Sequence, residues 1–551
     1  MSKKFFASQL SLFDIFLQDN ALMGNNTETE EFVFTDEDKL RLDDYTLDNY
    51  CDDVNTYGLS MTWDKINYFI LNYDCNNSFL DISDFGELYE TGLALANKQQ
   101  KKDSGQYYTP DDVAYVMSSW FNELTAENIC DVACGTGKLI LTYLDILGEE
   151  KARKLISEGR LYLYDIDKTA INICKTILLK KYGKELETQI HDIHCDFLDS
   201  KISLPDNCKV ISNPPYTTVK NLLPQWDNTD VASDTKELYS MFMEKIITQS
   251  ISSVIITPYS FIGGNKFYSL RQLLNNYSGF IVSFDNVPGN IFRGRKHGIF
   301  NTNTSNSVRA AITVVKNDGS EKGFRLTPLL RFRTDERTAL LKCKTLESFI
   351  SDKLQIVDNK NPAYSKCHKE LQNLYDCWLK ASDNKIVKDI LSSEKTDYIL
   401  YVPNTCRYFT TASVRRLNRT GVMTLFAKDK ATFEFLYCLI NSSFAYWWWR
   451  IFDGGITYQI GLLNKMPVFF DALSDDDKKF FSDTFAEMIA IEEECIVTKL
   501  NAGTEQENIK FPCHYREILN QRFLKILSCN QDYKLLDLLH QNNVFGEKKI
   551  D

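Results

Sequence analysis

Four short apolar segments, each followed by polar or acidic residues, constrain the fold of this chain more than any other feature. Stretches with helical spacing separate them, and strands that alternate with helices form a parallel sheet covered by helices. Because the carboxyl ends of parallel strands share one edge, we expect a doubly wound α/β sheet with ligands along that edge. The segments are 128–132 before a glycine turn, 161–164 before Asp165, a third that ends at His194 before Asp196, and 210–212 before Asn213.

The first of these segments runs into a glycine turn that opens a helix. The turn reads Asp131-Val132-Ala133-Cys134-Gly135-Thr136-Gly137 and precedes the helical spacing of 138–147. Glycines let a backbone approach a ligand closely, at a helix N-terminus whose amide groups favour it. A phosphate-loop interpretation is not favoured, because Val132 stands where that pattern needs its first glycine and no serine or threonine follows Lys138.

The fourth segment ends in the stiff turn Asn213-Pro214-Pro215-Tyr216. Each proline restricts its own φ and biases the preceding residue towards extended geometry, which holds the neighbouring side chains in a defined relation. The Asn213 amide offers donor and acceptor atoms, and the Tyr216 ring offers a face on which a flat group can stack. The turn therefore suits a planar substrate that carries an exocyclic or amide nitrogen.

Composition indicates a cytoplasmic protein without a membrane segment. No apolar run approaches the roughly 20 residues that a membrane helix needs. The 15 cysteines contain no Cys-x-x-Cys pair, as expected of free thiols in a reducing compartment. The metal-like group His191, His194 and Cys195 lacks a second pair of ligands, so we expect no metal site.

Charge is unevenly distributed along the chain, whose net charge is -12. Acidic residues concentrate between 28 and 53, and basic residues concentrate between 293 and 337 and again between 407 and 419. A basic region can hold a polyanion locally although the whole chain is acidic. Double-stranded DNA is therefore compatible with the sequence as a partner.

The N-terminal segment Gln9-Leu10-Ser11-Leu12-Phe13 has two interpretations. Its apolar residues fit an amphipathic helix that packs on the body of the protein. The segment also resembles the pentapeptide by which bacterial proteins dock into the replicative sliding clamp, and Gln9, Leu10, Leu12 and Phe13 would then contact the clamp. Both alternatives stay open.

Taken in order, the motifs between residues 104 and 216 resemble those of one enzyme family. Gln106-Tyr107-Tyr108-Thr109-Pro110 precedes the glycine turn, and Asp165, Asp196-Phe197 and Asn213-Pro214-Pro215-Tyr216 follow it. The set is similar to that of the gamma class of adenine-N6 DNA methyltransferases, which includes the modification subunits of type I restriction systems. The ordered set is far more specific than any single member.

The resemblance implies S-adenosyl-L-methionine as the cofactor. Asp165 would bind its ribose, and Asp196 with Phe197 would bind its adenine ring. The methionine end would contact Tyr108, Thr109, Asp131, Ala133, Gly135 and Gly137. Independently of the family, Thr109 has the character of an N-cap for a helix that starts with Pro110 at its first position.

For the target base, the resemblance implies that Asn213 and the carbonyl of Pro214 accept hydrogen bonds from the amino group, in a turn completed by Pro215. The amino nitrogen of adenine is a poor nucleophile because its lone pair is delocalised into the ring. Two acceptors would favour a pyramidal nitrogen, so catalysis would rest on orientation and electrostatics without a metal. Stacking on Tyr216 would contribute roughly 1–3 kcal/mol and so offset part of the free energy needed to extrude the base.

Further contacts to the substrate are expected just after residue 290. Phe292 lies at a spacing where such enzymes often place a second aromatic ring against the flipped base, and its alternative is a core position at a strand end. Arg293 and Arg295 open the first basic region and are candidate substrate contacts.

Pattern and composition divide the chain into three regions. Residues 1–100 form a helical N-terminal region with an acidic loop, 101–320 the methyltransferase domain, and 321–551 an α+β target-recognition domain with closing helices at 475–499 and 515–539. The last region resembles the recognition domain of self-contained adenine methyltransferases. We expect its residues Trp447, Trp448 and Trp449 in the core.

The sequence thus predicts a stand-alone enzyme that methylates N6 of adenine in double-stranded DNA. One alternative is a modification subunit that needs a specificity partner within a restriction or phage-defence system. A protein-glutamine methyltransferase would share the Asn-Pro-Pro-Tyr turn, but such enzymes are shorter and lack Gln-Tyr-Tyr-Thr-Pro. A DNA-binding regulator that kept the fold is disfavoured by the intact glycine turn, Asn213 and Tyr216.

Overall fold

The computed structural model describes residues 42–73, 78–96, 109–292, 308–406, 408–455, 457–501, 503–541 and 543–546. The chain divides into two units. Unit 1 contains the residues up to 325 together with 334–348 and 356–362, and unit 2 contains 326–333, 349–355 and the residues from 363 onwards. Among the described residues, no helix combines the length and the apolar character that crossing a bilayer requires.

A mixed eight-stranded sheet organises unit 1. Its strands are β1 (Asn128–Val132), β2 (Leu161–Asp165), β3 (Ile190–His194), β4 (Cys208–Ser212), β5 (Ser252–Pro258), β6 (Ser278–Phe284), β7 (Ala310–Lys316) and β8 (Gly323–Leu326). Their order is β3-β2-β1-β4-β5-β7-β6-β8. Neighbours from β3 to β5 pair in parallel, whereas β7 pairs antiparallel with β5 and β6.

The sheet confirms the α/β prediction and the four predicted strands. The strand order reverses between β1 and β4, and right-handed crossovers that run in opposite directions put their helices on opposite faces. Val132 pairs with Tyr164 on one side and with Ser212 on the other. The carboxyl ends of β1, β2 and β4 are therefore level at the switch point, where the Ser212 hydroxyl also donates to the Val132 carbonyl over 2.6 Å.

Twelve α-helices accompany this sheet in the described part of unit 1. They are α1 (Leu47–Tyr57), α2 (Leu59–Asn72), α3 (Phe85–Ala96), α4 (Asp111–Glu123), α5 (Lys138–Leu147), α6 (Glu149–Ser157), α7 (Lys168–Tyr182), α8 (Asp230–Thr235), α9 (Leu238–Gln249), α10 (Tyr268–Leu274), α11 (Arg337–Leu340) and α12 (Cys343–Ser348). Asp167 caps α7 by accepting from the amides of Thr169 and Ala170, and Gly183 follows the last turn.

The N-terminal helices share a hydrophobic core with the sheet layer. Trp63 and Phe85 from α2 and α3 are fully buried in one cluster with Ile173 of α7. Burying aromatic side chains of this size is a large stabilising contribution. The predicted N-terminal region is therefore packed within unit 1, and its helices lie against the layer that carries the predicted site.

Unit 2 is mainly helical with two small antiparallel sheets. Its helices are α13 (Gln372–Ser382), α14 (Val387–Ile390), α15 (Lys430–Asn441), α16 (Ser443–Phe452), α17 (Ile460–Asn464), α18 (Asp475–Ala490) and α19 (Cys513–Ile526). Its strands are β9 (Ile399–Pro403) paired with β10 (Val422–Phe426), and β11 (Ile496–Asn501) paired with β12 (Thr504–Ile509). This composition agrees with the predicted α+β character.

The three consecutive tryptophans lie in the core of unit 2, as predicted. Trp447, Trp448 and Trp449 belong to α16 and are at most 7% exposed. The expected closing helix at 475–499 is wrong at its end, because α18 stops at Ala490 and residues from Ile496 enter a hairpin. The β-branched pattern Ile496-Val497-Thr498 favours a strand, and Gly503, with φ of +81°, turns the hairpin.

Candidate functional site

One cavity in unit 1 lies where the carboxyl ends of β1, β2, β3 and β4 meet. It brings together most of the residues that the motifs predicted, although they are spread over about a hundred positions of sequence. The predicted residues that line it are Thr109, Ala133, Gly135, Asp165, Asp196, Phe197, Asn213, Pro214 and Pro215. The cavity is therefore the candidate site, and several of its walls follow from strand ends.

The glycine turn after β1 forms one wall. Ala133 and Gly135 have positive φ values of 56° and 52° and both line the cavity. A Cβ on Gly135 would meet nothing within 4 Å, so this glycine faces open space that a ligand can fill. Gly137 has a different task, because a Cβ there would lie 2.3 Å from the Sγ of Cys174. Gly137 lets α5 start close to α7 and does not line the cavity.

Asp165, at the end of β2, ties the glycine turn to the next strand. Its Oδ2 accepts from the amide of Gly135 over 2.7 Å, and its Oδ1 accepts from the amide of Asp167 over 2.8 Å. Burial, and then the charge of Asp167, raise the pKa of Asp165 to about 7, although backbone donors act in the opposite direction. A carboxylate held in this way can accept hydrogen bonds from hydroxyl groups of a ligand.

Asp196 and Phe197, after β3, form the next wall. Asp196 accepts from the amide of Leu198 over 3.0 Å and from the indole N–H of Trp226 over 2.7 Å. Burial raises the pKa of Asp196, and the bond from Trp226 is the largest opposing effect. Phe197 is 3% exposed and packs edge-on against Tyr164, with ring centroids 5.7 Å apart. A carboxylate beside an aromatic face suits a heteroaromatic ring with an amino group.

The Asn213 turn closes the cavity at the end of β4. The Nδ2 of Asn213 donates to the hydroxyl of Thr109 over 2.9 Å, and its Oδ1 accepts from the hydroxyl of Tyr216 over 2.8 Å. Tyr216 also lies 3.1 Å from the carbonyl of Ile256. The amide is thus oriented from both sides, which fixes its donor and acceptor ends.

The expected N-cap role of Thr109 is wrong. Helix α4 begins at Asp111, its N-cap is Pro110, and no side chain makes a capping bond there. Instead of capping the helix, the hydroxyl of Thr109 accepts a hydrogen bond from the side-chain amide of Asn213. Thr109 is 4% exposed. The N-terminus of α4 is stabilised by the acidic side chains of Asp111 and Asp112 in its first turn, which complement the helix dipole.

Two aromatic rings accompany Tyr216. Phe292 lies 6.0 Å away between ring centroids at 65°, so the structure brings together the pair that the resemblance implied. Tyr239 of α9, which no sequence motif predicted, packs edge-to-face against Tyr216 with ring centroids 6.3 Å apart. None of the three appears in the wall of the cavity itself, which places them beside it.

Helix α3 contributes a further wall that no sequence motif predicted. Tyr89, Glu90 and Leu93 line the cavity, and the Tyr89 hydroxyl donates to the carboxylate of Asp167. The sequence around these residues has the apolar spacing of a helix, but no motif marks them as ligand-binding residues. Only the packing of α3 on the sheet layer shows this contribution.

Asp131 does not reach the cavity wall. It is fully buried, and its Oδ2 accepts from the amide of Ile140 over 3.2 Å. Its Oδ1 is buried and has no hydrogen-bond partner among the described residues. Burial raises the pKa of Asp131 well above its usual value. The residue therefore stands behind the glycine turn with one unused acceptor.

Several predicted residues lie outside the described part of the chain. These are Tyr108, Arg293, Arg295 and the clamp-like Gln9, Leu10, Leu12 and Phe13. Within the described ranges, no group of three or more side chains could hold a metal ion. His191 stacks on Tyr162 with centroids 4.3 Å apart, and His194 hydrogen-bonds the carbonyl of Ile166.

Several arginines of the predicted basic regions form ion pairs with acidic residues of the chain itself. The buried Arg337 forms an ion pair with the partly exposed Asp112, and Arg309 pairs with Asp285 at 2.9 Å. In unit 2, Arg415 pairs with Glu507 at 2.8 Å. Lys138, which follows the glycine turn, pairs with Asp111. Arginine counts along the sequence therefore overstate the positive charge that a DNA backbone would meet.

The family described as N-6 DNA Methylase matches residues 80–297. The chain is 22% identical over 294 residues to the type I restriction enzyme MpnII methylase subunit of Mycoplasma pneumoniae, covering 49% of this chain and 51% of that protein. It is 28% identical over 197 residues to the type II methyltransferase M.BsuBI of Bacillus subtilis, covering 32% and 38%. The chain spans about half the length of the first of these relatives and less of the second.

A similar solved structure is the methyltransferase subunit of a type I restriction-modification system from Streptococcus thermophilus. It covers 51% of this chain and 67% of its own, with 15% identity and a TM-score of 0.31. The matched segment 80–297 contains α3, the glycine turn, Asp165, Asp196 and the Asn213 turn, and so it includes every wall of the cavity described above. Phe292, which lies beside the cavity, is near the end of the matched segment. Residues 80–297 of the chain are therefore similar to N-6 DNA methylases.

Proposed function

We propose that this chain is a DNA methyltransferase that transfers a methyl group from S-adenosyl-L-methionine to N6 of adenine in double-stranded DNA. One observation carries the proposal. A single cavity joins the glycine turn and Asp196-Phe197 to the Asn213-Pro214-Pro215 turn. A cofactor held at the first two features would therefore present its reactive group towards the third.

The residues present fit that cofactor. Asp165 offers a carboxylate for ribose hydroxyls, and Asp196 with Phe197 offers an acceptor and an aromatic face for a purine. The open space at Gly135 suits the chain of a methionine moiety, and Asp131 stands behind that turn. When bound, the cofactor supplies an electrophilic methyl group.

At the target end, the chain's own groups orient a nitrogen. The Thr109 and Tyr216 hydroxyls hold the Asn213 amide so that its oxygen and the Pro214 carbonyl would accept from an amino group. Neither acceptor is basic at neutral pH, so their part is to direct the lone pair, and pre-set dipoles do this without reorganisation. Tyr216 and Phe292 would offer aromatic surfaces to the extruded base.

The proposal is tested by expressing the chain in a methylation-free bacterial host and sequencing the genomic DNA by a single-molecule method. We expect methylated adenine at one sequence motif, and its loss when Asn213→Ala or Tyr216→Ala is expressed. Soluble wild-type protein that binds S-adenosyl-L-methionine but leaves the DNA unmethylated would overturn the stand-alone enzyme.

That last outcome would favour a second candidate, a modification subunit that requires a specificity partner. The similarity to a type I methylase subunit is the observation that supports it. Co-expression with a candidate specificity subunit would then restore methylation. We further propose unit 2 as the target-recognition domain, and we keep docking of Gln9, Leu10, Leu12 and Phe13 to a sliding clamp as a prediction.

A further inference from the structure

The chain that follows the Asn213 turn returns to Asp196, which lines the same cavity. Between Tyr216 and α9 it passes through Trp226, whose indole N–H donates to Oδ2 of Asp196 over 2.7 Å. The other oxygen of Asp196 accepts from the amide of Leu198 over 3.0 Å. Among the described residues, each oxygen of this carboxylate thus accepts from one donor. One donor is the amide of Leu198, two positions away, and the other is the indole of Trp226, which is distant in sequence.

The backbone fixes Trp226 in this position. The amide of Ser200 donates to the carbonyl of Gln225 over 2.9 Å, and Asp199 forms a bridge with Trp226. The amide of Trp226 itself donates to the carbonyl of Leu223 over 3.1 Å, and the residue is 6% exposed. The segment is thus anchored next to Asp196 by main-chain bonds as well as by the indole.

The neighbouring helix α9 supports the same wall. Phe242 packs on Phe197 with ring centroids 5.3 Å apart, and the Nζ of Lys245 lies 5.2 Å from the Phe197 ring. Lys245 also donates to the carbonyl of Asp199 over 2.7 Å. Both members of the Asp196-Phe197 pair are therefore held by residues that follow the Asn213 turn in sequence.

Burial disfavours the charged form of Asp196, and a donor such as the Trp226 indole restores it. An ionised carboxylate is an acceptor only, so its orientation decides which hydrogens it can bind. A hydrogen bond to a charged group is also stronger than one between neutral groups. Removing the indole N–H would leave the carboxylate less well oriented and less readily ionised.

We propose that Trp226 is a positioning residue, which holds Asp196 as the acceptor for the exocyclic amine of a bound purine and couples purine binding to the segment after the Asn213 turn. The purine meant here is the adenine ring of the cofactor, and this identification rests on the proposed function. Coupling between two sites is reciprocal, so purine binding stabilises the 217–229 segment to the extent that the segment stabilises the purine.

The test compares two probes by calorimetry, S-adenosylhomocysteine and its analogue without the 6-amino group. Trp226→Phe keeps an aromatic ring and removes the N–H donor. We expect it to weaken S-adenosylhomocysteine about tenfold, the scale of one hydrogen bond to a charged group, and to leave the analogue unchanged. If the affinity for both probes fell equally, the variant would have disturbed this wall of the cavity in general. If neither affinity changed, the Trp226–Asp196 bond would not contribute to binding. Either result would overturn the proposal.

Trp120→Phe is the matched control. The indole of Trp120 donates to a carboxylate oxygen of Glu347 over 2.7 Å and is 2% exposed, but neither residue lines the cavity. This variant should bind both probes as the wild type does. It separates the loss of an indole–carboxylate bond at Asp196 from the general cost of replacing a buried tryptophan.

Hydrogen exchange gives a readout of the coupling itself. S-adenosylhomocysteine should slow exchange of the amides in 217–229 of the wild type and have little effect there in Trp226→Phe. Unchanged exchange in the wild type would overturn the coupling. If the wild type does not bind S-adenosylhomocysteine at all, the proposed function falls, whereas binding that Trp226→Phe leaves intact removes only this inference.

Discussion

The side-chain amide of Asn213 donates a hydrogen bond to the hydroxyl of Thr109 over 2.9 Å. The two residues come from different motifs, 104 positions apart in sequence. Because the Tyr216 hydroxyl donates to the other end of the same amide, the bonds to Thr109 and Tyr216 together orient the Asn213 side chain. The segment before α4 therefore contributes to the chemistry of the turn after β4.

Replacing Thr109 with valine tests this relationship. Valine keeps the shape and removes the acceptor, so the Asn213 amide loses its bond to the Thr109 hydroxyl. We expect kcat for methylation to fall about tenfold, the scale of one hydrogen bond, with a smaller change in the KM for DNA. Thr109→Ser should restore kcat, and a valine variant with unchanged kcat would contradict the positioning role.

Tyr216 has a hydroxyl that orients Asn213 and a ring that the proposed function uses for stacking. Tyr216→Phe removes only the first, so we expect a loss of about tenfold in methylation rate. Tyr216→Ala also removes roughly 1–3 kcal/mol of base stacking and should lose considerably more. Single-turnover methylation of a duplex containing the recognition motif measures both, and equal losses would argue against a role for the ring.

Asp165 predicts a pH dependence of stability. Burial raises its pKa from 3.8 to about 7 in the folded chain, so between these values the folded state holds a proton that the unfolded state has lost. Its favourable contribution is complete below about pH 4 and is lost as the pH rises through about 7. The free energy of unfolding of the wild type, measured relative to Asp165→Asn, should therefore decrease from pH 4 to pH 8.

Taking the difference from Asp165→Asn removes the pH dependence of the unfolding free energy that comes from groups present in both proteins. Denaturant unfolding at each pH gives the two free energies. A difference that is constant, or that grows with pH, would show that the folded-state pKa of Asp165 is not raised. The asparagine variant also loses one backbone-amide acceptor, which shifts the difference by a constant without changing its slope.

Gly137 predicts a steric effect with a defined rescue. Alanine there would place its Cβ 2.3 Å from the Sγ of Cys174, at a φ of +87°. The left-handed conformation alone costs an alanine roughly 1–2 kcal/mol, and the contact adds to it. We expect Gly137→Ala to lower the melting temperature, and Cys174→Ala in the same chain to recover the part of the loss that comes from the contact.

Gly135→Ala is the matched comparison. Its φ of +52° is also left-handed, but the added Cβ meets nothing within 4 Å. We expect a smaller loss of stability than for Gly137→Ala, together with weaker binding of S-adenosylhomocysteine because the methyl group enters the cavity. If both variants lost the same stability and bound equally well, Gly135 would not face the ligand.

The sequence by itself determined the sheet and the edge at which the site lies. Apolar segments that end in Asp165, Asp196 and Asn213 have a local pattern, and a parallel sheet places such ends together whatever the rest of the chain does. The glycine turn and the paired prolines are equally local, because their backbone restrictions act within a few residues.

Only the tertiary structure decided which side chains complete that edge. The Thr109 hydroxyl, the Trp226 indole and the Tyr89 wall each meet a partner at least thirty positions away in sequence. The same holds for Arg337, whose charge the sequence assigned to a DNA-facing region and the fold pairs with Asp112. These contacts depend on how helices and loops pack on the sheet, and periodicity and local propensity carry no information about distant partners.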